Sequence, residues 1–79
     1  MKLTGTTISL NDAKVLASTR LQDYCKLEAI NPCEPYESDM RDDGSYWIFD
    51  YFLRKGEKIH EVAIVVYRNG KVEIGRIVK

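Results

Sequence analysis

Few residues in this 79-residue chain are of types that carry covalent or metal chemistry. Nucleophilic catalysis asks for a Cys or Ser beside a base that a third group holds in place. The single imidazole, His60, lies among aliphatic neighbours in a strand-like run, where a structural or surface role is expected. Cys25 falls on the apolar side of a helical pattern and reads as a small hydrophobe. Asp42 and Asp43 are paired carboxylates, yet adjacent acids before Gly44 are ordinary turn punctuation. With Asp39 they miss the alternation and closing Glu of a calcium loop. Two Cys and one distant His make no zinc site. No enzyme, no metal and no cofactor is therefore expected. The residues left with something to do are acids and aromatics, whose chemistry is recognition.

Cys25 and Cys33 are separated by seven residues that include Pro32. In an oxidising compartment they could close a small loop at a helix end. The reading favoured by the rest of the chain is two reduced thiols, because nothing else points to secretion. Met1 to Thr7 lacks the apolar stretch of a signal peptide, so the chain is expected in the cytoplasm unless a leader has been removed. Oxidised cysteines would instead imply a periplasmic or secreted protein. The longest apolar run, Val62 to Tyr67, is six residues. A membrane helix needs about 20.

The elements that must position these residues are legible from periodicity. A helix is expected from about Leu10 to Ile30, with Ser9 as N-cap and Asp12 completing a capping box. Leu10, Ala13, Leu16, Ala17, Leu21, Tyr24, Cys25 and Leu27 form its apolar sector, and Val15 interrupts the pattern. Pro32 ends it by Asn31. Ser45 to Arg54 alternates as a strand, with Trp47, Phe49, Tyr51 and Leu53 opposed to Tyr46, Ile48, Asp50 and Phe52. A turn at Lys55 to Glu57 leads to a second strand, Lys58 to Tyr67, with His60, Val62, Ile64 and Val66 on one face. Asn69-Gly70 is a hairpin signal. It leads to a last strand, Lys71 to Val78, that sets Val72, Ile74 and Val78 against Glu73, Gly75 and Ile77. An opening strand at Lys2 to Ile8 is a weaker pattern. The expected fold is a single α+β domain over residues 1–79, one long N-terminal helix packed on a three- to four-stranded antiparallel meander.

One helix covers one face of such a sheet, yet both faces of the Ser45–Arg54 strand are aromatic. Either aromatic side chains remain accessible, as at a partner or self-association surface, or the N-terminal segment folds across them. Charge is also divided. Twelve basic and twelve acidic residues cancel, which argues against a general nucleic-acid binder. Within that balance, residues 34–53 carry six acids against Arg41 alone, a net of −5, whereas residues 54–79 carry +4. An acidic loop of this kind steers a basic partner.

The stretch Asp43-Gly44-Ser45-Tyr46-Trp47-Ile48-Phe49-Asp50-Tyr51, followed by Ile64-Val65-Val66-Tyr67-Arg68-Asn69-Gly70-Lys71-Val72, resembles the core of small bacterial immunity proteins. It is also similar to cystatin-like and PepSY-type helix-on-sheet inhibitory modules. The likeness spans residues 10–75, and this chain departs from it in having no long loop between its last strands. The resemblance implies a protein that inhibits a cognate toxin or enzyme by binding it. Glu34, Glu37, Asp39, Asp42 and Asp43 would meet a basic site on that partner, with Tyr36, Tyr46 and Trp47 as anchors, since Tyr and Trp dominate interface hot spots. Two alternatives stand beside it. One is a nucleic-acid-binding module using Arg54, Lys55, Lys58, Arg68, Lys71, Arg76 and Lys79. The other is a homodimeric structural subunit that pairs through its aromatic face.

Overall fold

The computed structural model describes residues 7–79. Helix α1 (Leu10–Glu28) precedes β1 (Glu37–Asp42), β2 (Tyr46–Lys55), β3 (Lys58–Tyr67) and β4 (Val72–Val78). The strands form one antiparallel sheet in the order β1-β2-β3-β4, and α1 lies over its β3–β4 half. This is the α+β helix-on-meander architecture that the sequence pattern implies.

The helix begins where its cap dictates. The Asp12 N–H donates to Ser9 Oγ (3.1 Å), and the Ser9 N–H donates back to Asp12 Oδ2 (3.3 Å). Two first-turn donors that a helix leaves orphaned are thereby satisfied. The helix ends two residues earlier than the pattern suggests. Ala29 takes a left-handed conformation (φ 56°), and the Ile30 N–H reaches back to the Cys25 carbonyl (2.9 Å). Ile30 is thus freed from the helix and folds into the core. Ala13, Ala17, Leu21, Tyr24 and Cys25 are buried, the two alanines letting the helix approach the sheet closely. Val15 is exposed, as its place in the pattern requires. Leu27 departs from expectation at 83% exposed. At 100° per residue it lies roughly 90° from the centre of the buried stripe, beyond the sheet's reach.

Cys25 and Cys33 are joined in a disulfide, so the expectation of two reduced thiols is corrected. The reason is local. The left-handed turn at Ala29 folds the chain back on the helix, and the two Cα atoms come within 5.8 Å, a span a disulfide bridges.

Trp47, Phe49 and Leu53 of β2 meet Val62, Ile64 and Val66 of β3 beneath the helix. His60 closes this layer at 4% exposed, its Nδ1 hydrogen-bonded to the Tyr24 hydroxyl (2.8 Å). Burial, and secondarily the Glu28 carboxylate, raises the Tyr24 pKa above its ordinary value.

Two turns and one bulge set the registers. Gly56 (φ +63°) occupies the first central position of a two-residue loop between β2 and β3. The Asn69-Gly70 turn is longer than the two-residue hairpin its sequence suggests. Tyr67 N–H bonds the Lys71 carbonyl and Gly70 (φ +95°) bonds the Tyr67 carbonyl, leaving Asn69 at negative φ. In β4, Ile64 pairs with Ile74 while Ala63 pairs with Arg76, so Gly75 is an extra residue. A bulge of this kind inverts the faces beyond it. Ile77 therefore pairs with Val62 on the helix side and Val78 with Glu61 on the other, the reverse of simple alternation.

Of the opening strand expected at Lys2 to Ile8, residues 2–6 lie outside the described residues. Thr7 and Ile8 are not in a strand, although the Ile8 N–H donates to the Arg68 carbonyl (2.8 Å) and its side chain packs on the core.

Candidate protein-interaction surface

The stretch expected as an acidic loop is largely a strand. Glu37 to Asp42 pair residue for residue with Phe52 to Trp47, and all six β1 side chains are exposed. The turn to β2 is built by Asp42, whose Oδ1 accepts the Gly44 N–H (2.9 Å), and by Gly44 at φ +87°. Met40 is the sole apolar side chain in the strand, so alternation of hydrophobicity could not reveal it. The readable signal is Asp43-Gly44 immediately before a strand, a hairpin marker that implies a partner strand on its other side.

Register divides the acids into two sets. Paired residues project to the same face, so Glu37, Asp39 and Arg41 share the face of Phe52, Asp50 and Ile48, away from the helix. Asp42 projects with Trp47 to the helix side. There Arg68 engages it, while Arg68 Nε donates to the Gly44 carbonyl (2.7 Å) and its guanidinium lies 3.7 Å from the Trp47 ring centroid. Asp43 is paired with Arg41 at 3.3 Å. Asp42 and Asp43 are thus engaged within the hairpin. Asp39 sits directly opposite Asp50, and neither has an ion-pair partner among the described residues. Glu37 is likewise unpaired, and Glu34 is exposed in the connection before β1. Asp50, which the sequence offers only as one more charge, becomes through its register the centre of the site.

The aromatics separate as well. Trp47, at 4% exposed and roofed by Arg68, is core and not an anchor. Tyr46 is half-buried against Tyr67 at one end of the open face, with ring centroids 5.6 Å apart. The Tyr67 hydroxyl donates to Glu73 (2.7 Å), and this bond raises its pKa. Tyr36 stands exposed at the other end, packed on Phe52 (6.3 Å) with Arg54 above its ring (4.8 Å). Between these ends, Ile48, Ala63 and Val65 floor a concavity of about 320 Å³ rimmed by Arg41, Asp50 and Arg76. No helix covers this face among the described residues.

Several basic residues of the C-terminal half are held by acids of the same chain, although Lys55, Lys58 and Lys79 line one cavity of about 450 Å³ with Glu28 and His60. Arg76 is paired with Glu61 (2.7 Å), Lys79 with Glu28 (3.1 Å) and Lys71 with Glu73 (4.0 Å). Lys55 donates to the Glu28 carbonyl at the helix C-terminus (2.6 Å), where a cation complements the helix dipole. No three His, Cys, Asp or Glu side chains gather as a metal site among the described residues, and no helix there is long and apolar enough to cross a membrane. No family model, curated protein or solved structure matches this chain.

Proposed function

We propose that this chain is a small non-enzymatic binding protein of the inhibitor or immunity type. It masks a basic site on a protein partner with the open, acidic half of its sheet. The observation that supports this most is the Asp39–Asp50 pair. Like charges directly opposite in an antiparallel sheet are destabilising, and neither carboxylate has an ion-pair partner among the described residues, although Arg41 and Arg76 rim the same concavity as Asp50. A Lys or Arg from a partner relieves that repulsion on binding, so part of the binding free energy is stored in the free protein. Glu34 and Glu37 extend the acidic field, with Tyr36 and Tyr46 as aromatic contacts at its two ends. The Cys25–Cys33 disulfide supports an oxidising compartment, periplasmic or extracellular. The nucleic-acid reading is not favoured, because four of the seven cations it would use, Arg68, Lys71, Arg76 and Lys79, are paired with acids of the same chain.

The test starts with capture of the partner on immobilised protein, identified by mass spectrometry. Association rates are then measured for the parent and for Glu37→Lys/Asp39→Lys. Electrostatic steering is worth about 10- to 1,000-fold in rate. The double variant should therefore associate at least about tenfold more slowly at low salt, with the difference shrinking as salt is added. Equal rates for parent and variant at every salt concentration would refute the proposal.

A further inference from the structure

The open face is only one of two exposed features of β1. Among the described residues the strand is also the edge of the sheet, and no strand pairs with its second row of backbone groups. The Asp43 N–H donates to the Tyr46 carbonyl (2.9 Å). Alternation along the ladder then turns the backbone groups of Arg41, Asp39 and Glu37 toward β2, and those of Ser38, Met40 and Asp42 outward. An edge of this kind is a template for another strand unless it is guarded. Here one guard is visible, because Asp39 Oδ1 accepts the Met40 N–H at 2.9 Å.

We infer that β1 receives a fifth strand, an extended segment of a protein partner in which basic and apolar residues alternate. The charge argument rests on the function proposed above, whereas the geometric argument does not. On the helix side, α1 stops short of β1 and leaves a cleft of about 400 Å³ lined by Met40, Phe49 and Tyr51, with Lys14, Ser38 and Asp39 also bordering it. Burial there raises the Tyr51 pKa. Apolar side chains at alternate positions of an added strand enter this cleft. The intervening side chains fall on the opposite face, beside Glu37 and Asp39, where cations fit. Main-chain hydrogen bonds supply affinity and the alternate side chains supply selectivity, as in other strand additions. The guard adds a condition. An incoming carbonyl takes the Met40 N–H only as the Asp39 carboxylate turns away, and an incoming ammonium or guanidinium gives that carboxylate its new partner. A neutral or acidic strand offers no such exchange. A second copy of this chain is disfavoured likewise, since residues 34–43 hold five acids against one Arg and would face their own kind.

The probe is a synthetic peptide of about ten residues alternating Lys and Val, with a Glu/Val peptide as its control. Amide hydrogen exchange of the full, disulfide-bonded chain is followed residue by residue. The Lys/Val peptide should slow exchange at Ser38, Met40 and Asp42 by about tenfold or more, and the Glu/Val peptide should leave it unchanged. Met40→Pro deletes one outward donor without altering any charge, at a position where an edge strand tolerates proline, and should abolish the effect. Misfolding would mimic that loss, so Ser38→Pro is tested in parallel, with native β3 and β4 amide shifts required of both variants. Strand addition is overturned if the peptide leaves the three amides fast, if the Glu/Val peptide protects them equally, or if both folded proline variants bind as the parent does. The two proposals fail separately. Loss of the captured partner in Glu37→Lys/Asp39→Lys but not in the proline variants removes strand addition and leaves acidic docking standing.

Discussion

Strands β1 and β3 belong to one sheet and share almost nothing else. In β3, Val62, Ile64 and Val66 are fully buried beneath the helix, and β2 and β4 flank it on both sides. In β1 every residue is exposed, one edge is unpaired among the described residues, and the single apolar side chain is Met40. A short chain divides its material between a sealed half and an open one. A domain of this size buries only about 60–65% of its unfolded surface, and one 19-residue helix can seal only part of a four-stranded sheet. The covered half supplies the stability. The bare half is held by backbone pairing and by the Arg68 tether at its turn, and it is free to carry charge that a core could not accept.

Truncating one side chain in each half separates their contributions. Leu53→Ala empties a fully buried position under the helix and should cost about 3 kcal/mol, the transfer and cavity terms together. Met40→Ala removes a similar side chain from the exposed strand and should cost less than about 1 kcal/mol. Urea unfolding of the two variants checks both values, and equal losses would mean that β1 is as much core as β3. Next in size is the disulfide. Cys25 and Cys33 are eight residues apart, and the loop-entropy relation gives about 2.5 kcal/mol for a loop of that length. Denaturant midpoints with and without reductant should differ accordingly. Because the bond lies at the helix C-terminus, amides of the last helical turn should lose protection first, while the outward amides of β1, at Ser38, Met40 and Asp42, should change little.

The same division governs what could be read in advance. Elements that bury a face write it into the sequence, which is why α1, β2 and β3 follow from periodicity with ends displaced by at most two residues. β1 buries nothing and so leaves no alternation to find. Its acids, contiguous in sequence, belong to two faces once the register is set, and Asp42 proves to be half of an internal ion pair. Trp47 is aromatic for the core and not for a partner. The β4 bulge depends on Gly75, whose added Cβ would stand 3.0 Å from Val65 Cγ2. A glycine inside a strand pattern is the recognised sign of such a bulge, but the inversion of Ile77 and Val78 appears only when the partner strand is counted. The disulfide likewise depends on a left-handed alanine, a conformation that residue type does not announce.

The smallest effect tests the bare half most directly. Asp39→Asn keeps the size of the side chain and its acceptor for the Met40 N–H, and removes only the charge facing Asp50. If that repulsion is real, the variant is more stable than the parent by some tenths of a kcal/mol, within the roughly 0.2–1 kcal/mol range of cross-strand pairs. The gain should shrink in high salt, where exposed charges are screened. The same substitution should weaken the captured partner, because the charge that destabilises the free protein is the charge a basic site would meet. Stability and binding then move in opposite directions from one deleted charge. A purely structural aspartate would move stability alone or lower both. A variant no more stable than the parent at low salt would show that solvent already disperses the Asp39–Asp50 repulsion, and the central support for a basic partner would go with it.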